Sequence, residues 1–473
     1  MARCPSDDVL WMIGEHIEDL ETRYNLIQCS RRFHRLFLPL LYSSLSFRCT
    51  RDEYCEDRVG SYSKSKFALI QDLCRRPDLA RLVRHLEVNV KSDSVSEGLV
   101  EYYVPPFWGL VHTDLSLLDQ ISKEIWETEQ EGSQLVRYLR RGSVDAWSSL
   151  LLAKLSHLQT MSIIHADWDE PFFFNRVLLK AATRQYPFHE APHLSRLHTV
   201  DFSPSHEMDG VAATFVVPFF NLPAVRTIRG YSVIDWDLCE VLKHDGLEIT
   251  KGTSPVTEIK LCGEYDEEMD YWFAACSKLE TFKFLYMQGG NPLELPLEIF
   301  RAKELRRSLL SFRKTLKTIW VTGPDCSTST FTNGYDEPAD IFVFGSFKEF
   351  SALRELRIDL VNFLCDDWVD GTAEYHIIDL LPRSLEVLDI MNIYPNMLAY
   401  LIADFMQVIG ERSTRVPHFK TLKIGSESFW FPTDETQENL EFLRGFCDGT
   451  GIKLVVHSDE CPPLCELQDC ICV

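Results

Sequence analysis

Two short stretches carry side chains whose types and spacing can do chemistry. The first is His189-Glu190-Ala191-Pro192-His193, the His-Glu-x-x-His spacing that holds zinc when both imidazoles share one helical face and the glutamate polarises water. Pro192 sits inside that turn and disfavours helical geometry at Ala191, so the segment reads as a loop and no metal is expected there. The second is the C-terminal CPPLCELQDCICV, with Cys461, Cys465, Cys470 and Cys472. Its spacing differs from the paired CxxC of zinc ribbons. The last four residues, from Cys470, fit a loose prenylation box. Val473 is an uncommon final residue there and the upstream segment is acidic, so a frayed tail is expected instead. No phosphate-binding glycine loop or nucleophile elbow is present. Neither catalysis nor a cofactor is expected of this chain.

A recurring pattern points to binding instead. In it an apolar residue is followed three and five positions later by two more: VRHLEV from residue 83, LQTMSI from 158, LHTVDF from 197, VRTIRG from 225, VTEIKL from 256, LETFKF from 279, LKTIWV from 316, LRELRI from 353, LEVLDI from 385 and FKTLKI from 419. Gly230 breaks the last position of the fourth copy. Most copies start just after Pro or Ser, which are turn signals placed before a strand. Starts after 158 lie about 23 to 39 residues apart, a range expected of one supersecondary unit per copy. Thr recurs just before the second apolar position, at Thr160, Thr199, Thr227, Thr281, Thr318 and Thr421, where a β-branched residue suits a strand.

If the second and third apolar residues of each copy point inward, the residue between them points out, because strand side chains alternate. That column is Glu87, Ser162, Asp201, Arg229, Lys260, Lys283, Trp320, Arg357, Asp389 and Lys423. Arg229, Lys260, Lys283, Trp320 and Arg357 form the candidate docking surface for an acidic or phosphorylated segment, with Trp320 as an apolar anchor. The competing reading is an ordinary solvated strand face.

The formal net charge of −23 makes nucleic acid and anionic lipid poor partners overall. Fifteen cysteines, an odd number without repeated spacing, argue for reduced thiols and hence for cytoplasm or nucleus. The N-terminus turns acidic where a signal peptide needs an apolar run, and no stretch offers about 18 uninterrupted apolar residues for a membrane span.

Residues 5–42 read as three short helices. Ser6 caps the first and Asp7 and Asp8 favour its positive end. Val9, Leu10, Ile13, Ile17 and Leu20 then form one apolar stripe. A second helix runs over about 22–29. Ser30 caps a third, in which Phe33, Leu36, Phe37, Leu40 and Leu41 recur at helical spacing and which Pro39 ends or kinks. Leu45 and Phe47, alternating beyond it, begin the repeat core. Helices this small cannot bury enough surface to stand alone, so they need something to pack against.

The stretch PSDDVLWMIGEHIEDLETRYNLIQCSRRFHRLFLPLLY resembles an F-box, the adaptor-binding module of SCF-type ubiquitin ligases. The closer match is the third helix start, Cys29, Ser30, Arg31, Arg32 and Phe33; Pro5-Ser6 departs from the family's opening Leu-Pro. By that resemblance Val9, Leu10, Ile13, Leu26, Phe33 and Leu36 pack on a Skp-family adaptor, which links to a cullin-RING scaffold. The repeats resemble an irregular leucine-rich repeat array of the kind paired with an F-box in fungal proteins, and residues 66–88 resemble the first repeat of such proteins. The implied fold is α/β: an F-box over 5–48, a linker over 49–66, a parallel-strand solenoid over 67–458 with insertions near 91–150 and 322–340, and a Cys-rich tail over 459–473. Segments such as 172–186 and 396–410 would supply its helices. The implied function is a non-catalytic substrate receptor; the alternative is an interaction scaffold without ubiquitin transfer.

Overall fold

A computed structural model describes residues 5–48, 64–90, 114–165, 172–205, 210–234, 250–263, 269–286, 301–323, 343–364, 376–393, 395–426, 429 and 432–457. The chain divides into two compact units, Met1–Arg226 with Val241–Glu248, and Thr227–Glu240 with Ile249–Val473. The Cys-rich tail, residues 49–63 of the expected linker, residues 91–113 of the first expected insertion and 324–340 of the second lie outside the described residues.

The first unit opens with α1 (Asp7–Glu15), α2 (Leu20–Cys29) and α3 (Arg31–Tyr42). Each start is set by a side-chain oxygen that accepts an otherwise orphaned amide: Ser6 Oγ from Val9, Asp19 Oδ2 from Thr22, Ser30 Oγ from Phe33. Because α1 stops at Glu15, Ile17 and Leu20 do not continue its stripe, and Leu20 opens α2 instead. Pro39 does not end α3, which runs on to Tyr42. It removes one amide within the last turn, while Phe37 and Leu40 on either side are held in the core, so packing outweighs the lost hydrogen bond. A single residue, Ser43, separates α3 from β1 (Ser44–Phe47), and its carbonyl accepts from the amides of Arg84 and His85 at 2.8 and 2.9 Å.

Three further parallel strands follow: β2 (His85–Val90), β3 (Thr160–His165) and β4 (Thr199–Pro204), with the two-residue β5 (Val211–Ala212) beyond. Register pairs Leu45, Leu86, Met161 and Val200 in one row and Phe47, Val88, Ile163 and Phe202 in another. All eight are buried, each contributing about 1.5–3 kcal/mol relative to exposure. Before β2 come α4 (Lys64–Arg75) and α5 (Pro77–Ala80), so α4 begins inside the expected linker.

The expected insertion near 91–150 is revised by the helices Leu115–Ile125, Glu129–Arg141 and Val144–Lys154. The last carries Ala146, Trp147, Leu150, Leu151 and Leu152, all buried, and Trp147 meets Phe67 of α4 at 4.9 Å between ring centroids. This stretch is core rather than excursion; it lacks a strand copy, which made it look inserted. Asp145, buried in the same helix, accepts from the amides of Phe173 and Phe174 at 2.8 Å each and so caps the helix Phe172–Thr183 from a neighbouring element.

Among the described residues the second unit contains eight parallel strands: β6 (Thr227–Ile234), β7 (Glu258–Gly263), β8 (Thr281–Tyr286), β9 (Thr318–Thr322), β10 (Glu355–Asp359), β11 (Val387–Met391), β12 (Thr421–Gly425) and β13 (Lys453–His457). They pair in that order, placing the second apolar residue of every copy beside its neighbour's. All ten sequence copies are therefore strands. The broken copy survives because β6 shifts register between Tyr231 and Val233; a Cβ on Gly230 would lie 2.5 Å from Val233 Cγ2, so the valine fills the place the glycine leaves. The helix Pro395–Gly410 falls where the second expected helix was.

Asp145→Ala would strand two buried amides. Urea unfolding is expected to show a loss of about 2–3 kcal/mol, with Asp145→Asn losing less because its side-chain oxygen can still accept.

Candidate functional site

Two surfaces come out of this fold. The first is on α1 and α2. Gly14 faces inward, where a Cβ would lie 2.5 Å from Phe37 Cε1, and this close approach lets α1 lie against α3. Leu10, Phe37 and Leu40 form the buried centre, with Trp11, Leu26, Ile27, Phe33 and Leu36 packed partly against it. Arg32 bonds Asp7 at 2.7 Å and the Pro5 carbonyl at 2.6 Å, and Arg35 reaches Asp7 at 3.0 Å. The Arg32 hydrogen bond, ahead of the charge of Arg32 and Arg35, holds the Asp7 carboxyl below its ordinary value. Arg32 of the SRRF stretch, with Arg35 three residues on, thus ties α3 to the start of α1.

With one face of α1 committed inward, the other is left open. Val9, Met12 and Ile13, at helical spacing i, i+3 and i+4, are 46, 60 and 50% exposed, and Leu20 and Tyr24 of α2 are exposed as well. Leu10 is corrected: it turns inward to Phe37 and Leu40 and is unavailable to a partner. Leu26, Phe33 and Leu36 are half-buried, and Phe33 meets Phe37 edge-on at 5.3 Å. Val9 and Ile13 are open to solvent. Leu20 stood in the expected apolar stripe but not among the expected adaptor contacts, and Met12 and Tyr24 stood in neither, although Met12 falls three residues after Val9 on the same face.

The second surface is the outward column of the second unit. Register brings Arg229, Lys260, Lys283, Trp320, Arg357, Asp389 and Lys423 side by side, one per strand. Lys260 pairs with Glu258 at 2.6 Å, and Glu258 also accepts from Thr227 Oγ1. Burial opposes ionisation of Glu258, but Lys260, Thr227 and Arg229 together outweigh it and the carboxyl lies below its usual range. Two expectations are corrected here. Trp320 is no open anchor: Lys283 Nζ lies 3.0 Å and Arg357 Cζ 5.0 Å from its ring centroid, from the strands on either side. Arg357 is 5% exposed and sits 3.6 Å from Asp389 Oδ2, itself 1% exposed, so it belongs to a buried ion pair. Arg229, Lys260 and Lys283 remain half-buried on the face.

The HEAPH segment is a loop, as expected. His189 and Glu190 are exposed, while His193 is buried, stacks on Phe188 at 4.4 Å and places Nε2 2.8 Å from the Leu152 carbonyl. The two imidazoles do not converge. Among the described residues no group of three or more His, Cys, Asp or Glu is placed to hold a metal, and no helix is long and apolar enough to cross a membrane. The described cysteines are free thiols, four of them buried; burial pushes Cys74, Cys262 and Cys276 up to about 12, which keeps them unreactive.

A ladder of parallel strands with one recurring apolar pattern, backed by helices, defines a repeat protein. The chain belongs to the leucine-rich repeat family: the model of a leucine-rich repeat domain matches residues 62–423, well over half of its length. No curated protein matches it. Repeat domains of this kind are built for protein interaction.

Arg357→Gln would leave Asp389 buried without its nearest cation. Chemical denaturation should show a loss of about 3–5 kcal/mol, while the paired change Arg357→Met with Asp389→Leu should cost less. Burial lowers His193 from 6.5 to about 4. The unfolded chain therefore takes up a proton at this site before the folded one does, so its contribution to stability is full above pH 6.5 and shrinks as pH falls toward 4. Unfolding measured at pH 7 and pH 5, in the native chain and in His193→Gln, should give a smaller pH difference in the variant.

Proposed function

We propose that the chain is the substrate-recognition subunit of an SCF-type ubiquitin ligase. In this reading α1–α3 are an F-box that docks on a Skp-family adaptor, the adaptor joins a cullin-RING scaffold, and the repeats hold a target protein. The chain performs no chemistry itself; it raises the local concentration of a target beside a separate ubiquitin-transferring enzyme, in cytoplasm or nucleus.

The observation that carries the proposal is the open apolar stripe of Val9, Met12 and Ile13 beside Leu20 and Tyr24. Contiguous exposed apolar side chains of this kind mark interaction sites. The choice of a Skp-family adaptor as their partner comes from the resemblance of the PSDDVL and SRRF stretches to the F-box pattern. The leucine-rich repeats support a protein target.

The test is co-purification of the full chain with a Skp-family adaptor. Val9→Asp with Ile13→Asp is expected to weaken capture by about a hundredfold or more, since a centrally placed apolar contact is worth about 2 kcal/mol. Both side chains point to solvent, so thermal melting should stay close to the native value. A native chain that holds other proteins but no adaptor would be a scaffold of the kind weighed from its sequence, and the ligase reading would fall.

A further inference from the structure

Building on the proposal that the repeats hold a target, we infer that the sheet face of the second unit takes an extended acidic segment of that target, carrying several Asp or Glu side chains in a row. On the outward column there Arg229, Lys260, Lys283 and Lys423 stand half-buried at the surface, Arg357 is taken up by the buried Asp389, and Glu258 and Glu355 on the same face lie beside Lys260 and Lys423. The corresponding positions of the first unit, Ser46, Glu87, Ser162 and Asp201, carry no cation. In a chain of net charge −23 this row is a local enrichment in cations.

Its shape selects the ligand. Neighbouring strands stand about 4.8 Å apart, so Arg229, Lys260 and Lys283 lie along roughly 10 Å and the column to Lys423 runs roughly 29 Å. The surface cations are held in that row: Lys260 by Glu258, Lys283 over the Trp320 ring, and Lys423 within 4.0 Å of Glu355. A phosphate concentrates its charge at one point and engages a short part of such a row. An extended chain with acids at every second residue sets carboxylates about 6.6–6.8 Å apart along one face and spreads its charge along the row, though not in step with the strand spacing. Attraction of this kind speeds encounter and weakens with salt.

Fluorescence anisotropy with the full chain tests this with three labelled peptides of about twelve residues: Asp at alternate positions, Asn at the same positions, and a neutral peptide with one phosphoserine. The Asp peptide is expected to bind about tenfold more tightly than either other, and to lose about tenfold in Lys260→Glu with Lys283→Glu but little in Lys260→Arg with Lys283→Arg. Equal affinity for the Asp and Asn peptides, or tighter binding of the phosphoserine peptide, overturns the inference. If circular dichroism shows the double reversal unfolded, the ratio of Asp to Asn affinity on the native chain decides. Adaptor capture on the same preparation separates the two readings. Capture without Asp-peptide binding removes this inference alone, and Asp-peptide binding without capture removes the ligase reading while this face keeps its ligand class.

Discussion

Register between parallel strands is the constraint on which the rest of the molecule depends. A slip of one residue would turn every inward side chain outward, so the apolar rows that run Ile228, Ile259, Phe282, Ile319, Leu356, Leu388, Leu422 and Leu454 across the second unit hold the strands in one alignment. Backbone hydrogen bonds carry the alignment beyond the strands. The amide of Lys317 donates to Glu280, that of Arg354 to Lys317, that of Glu386 to Arg354 and that of Lys420 to Glu386, each at 2.7–2.8 Å. Acids and bases share these positions: Glu280 takes Lys317, and Glu386 lies between Lys420 at 2.6 Å and Arg354 at 3.7 Å. The same register that buries one row of side chains lines up the charged column on the opposite face.

Much of this was legible in the amino-acid sequence because a strand's period of two and a helix's period of 3.6 leave marks in any chain that buries one face. The ten strand copies, the caps at Ser6 and Ser30 and the helices near 172 and 396 carried such marks. β13 did not. Its place for the first apolar residue is Gly451, which ends the preceding helix in a left-handed conformation at φ 72°, and Ile452 takes over the burial. The segment Val144–Lys154 escaped for the opposite reason: it is buried nearly all round, so no contrast between faces marks it.

The binding surfaces were legible only in outline. Alternation names which residues share a face, but says nothing about what their neighbours do to them. Arg357 and Trp320 stand in the outward column and are nonetheless engaged, one by Asp389 and the other by cations from both adjoining strands. On α1, periodicity grouped Leu10 with Val9, and only Gly14, by drawing α1 against Phe37, divides the two.

The joint at Ser43 has a mechanical meaning. With one residue between α3 and β1, and with that residue's carbonyl bonded to two successive amides at the entry to β2, the helical head has no slack relative to the first strands of its unit. A partner that gripped Val9 and Ile13 would therefore acquire a fixed bearing on those strands, as a tool does when clamped at the shank rather than hung from a cord.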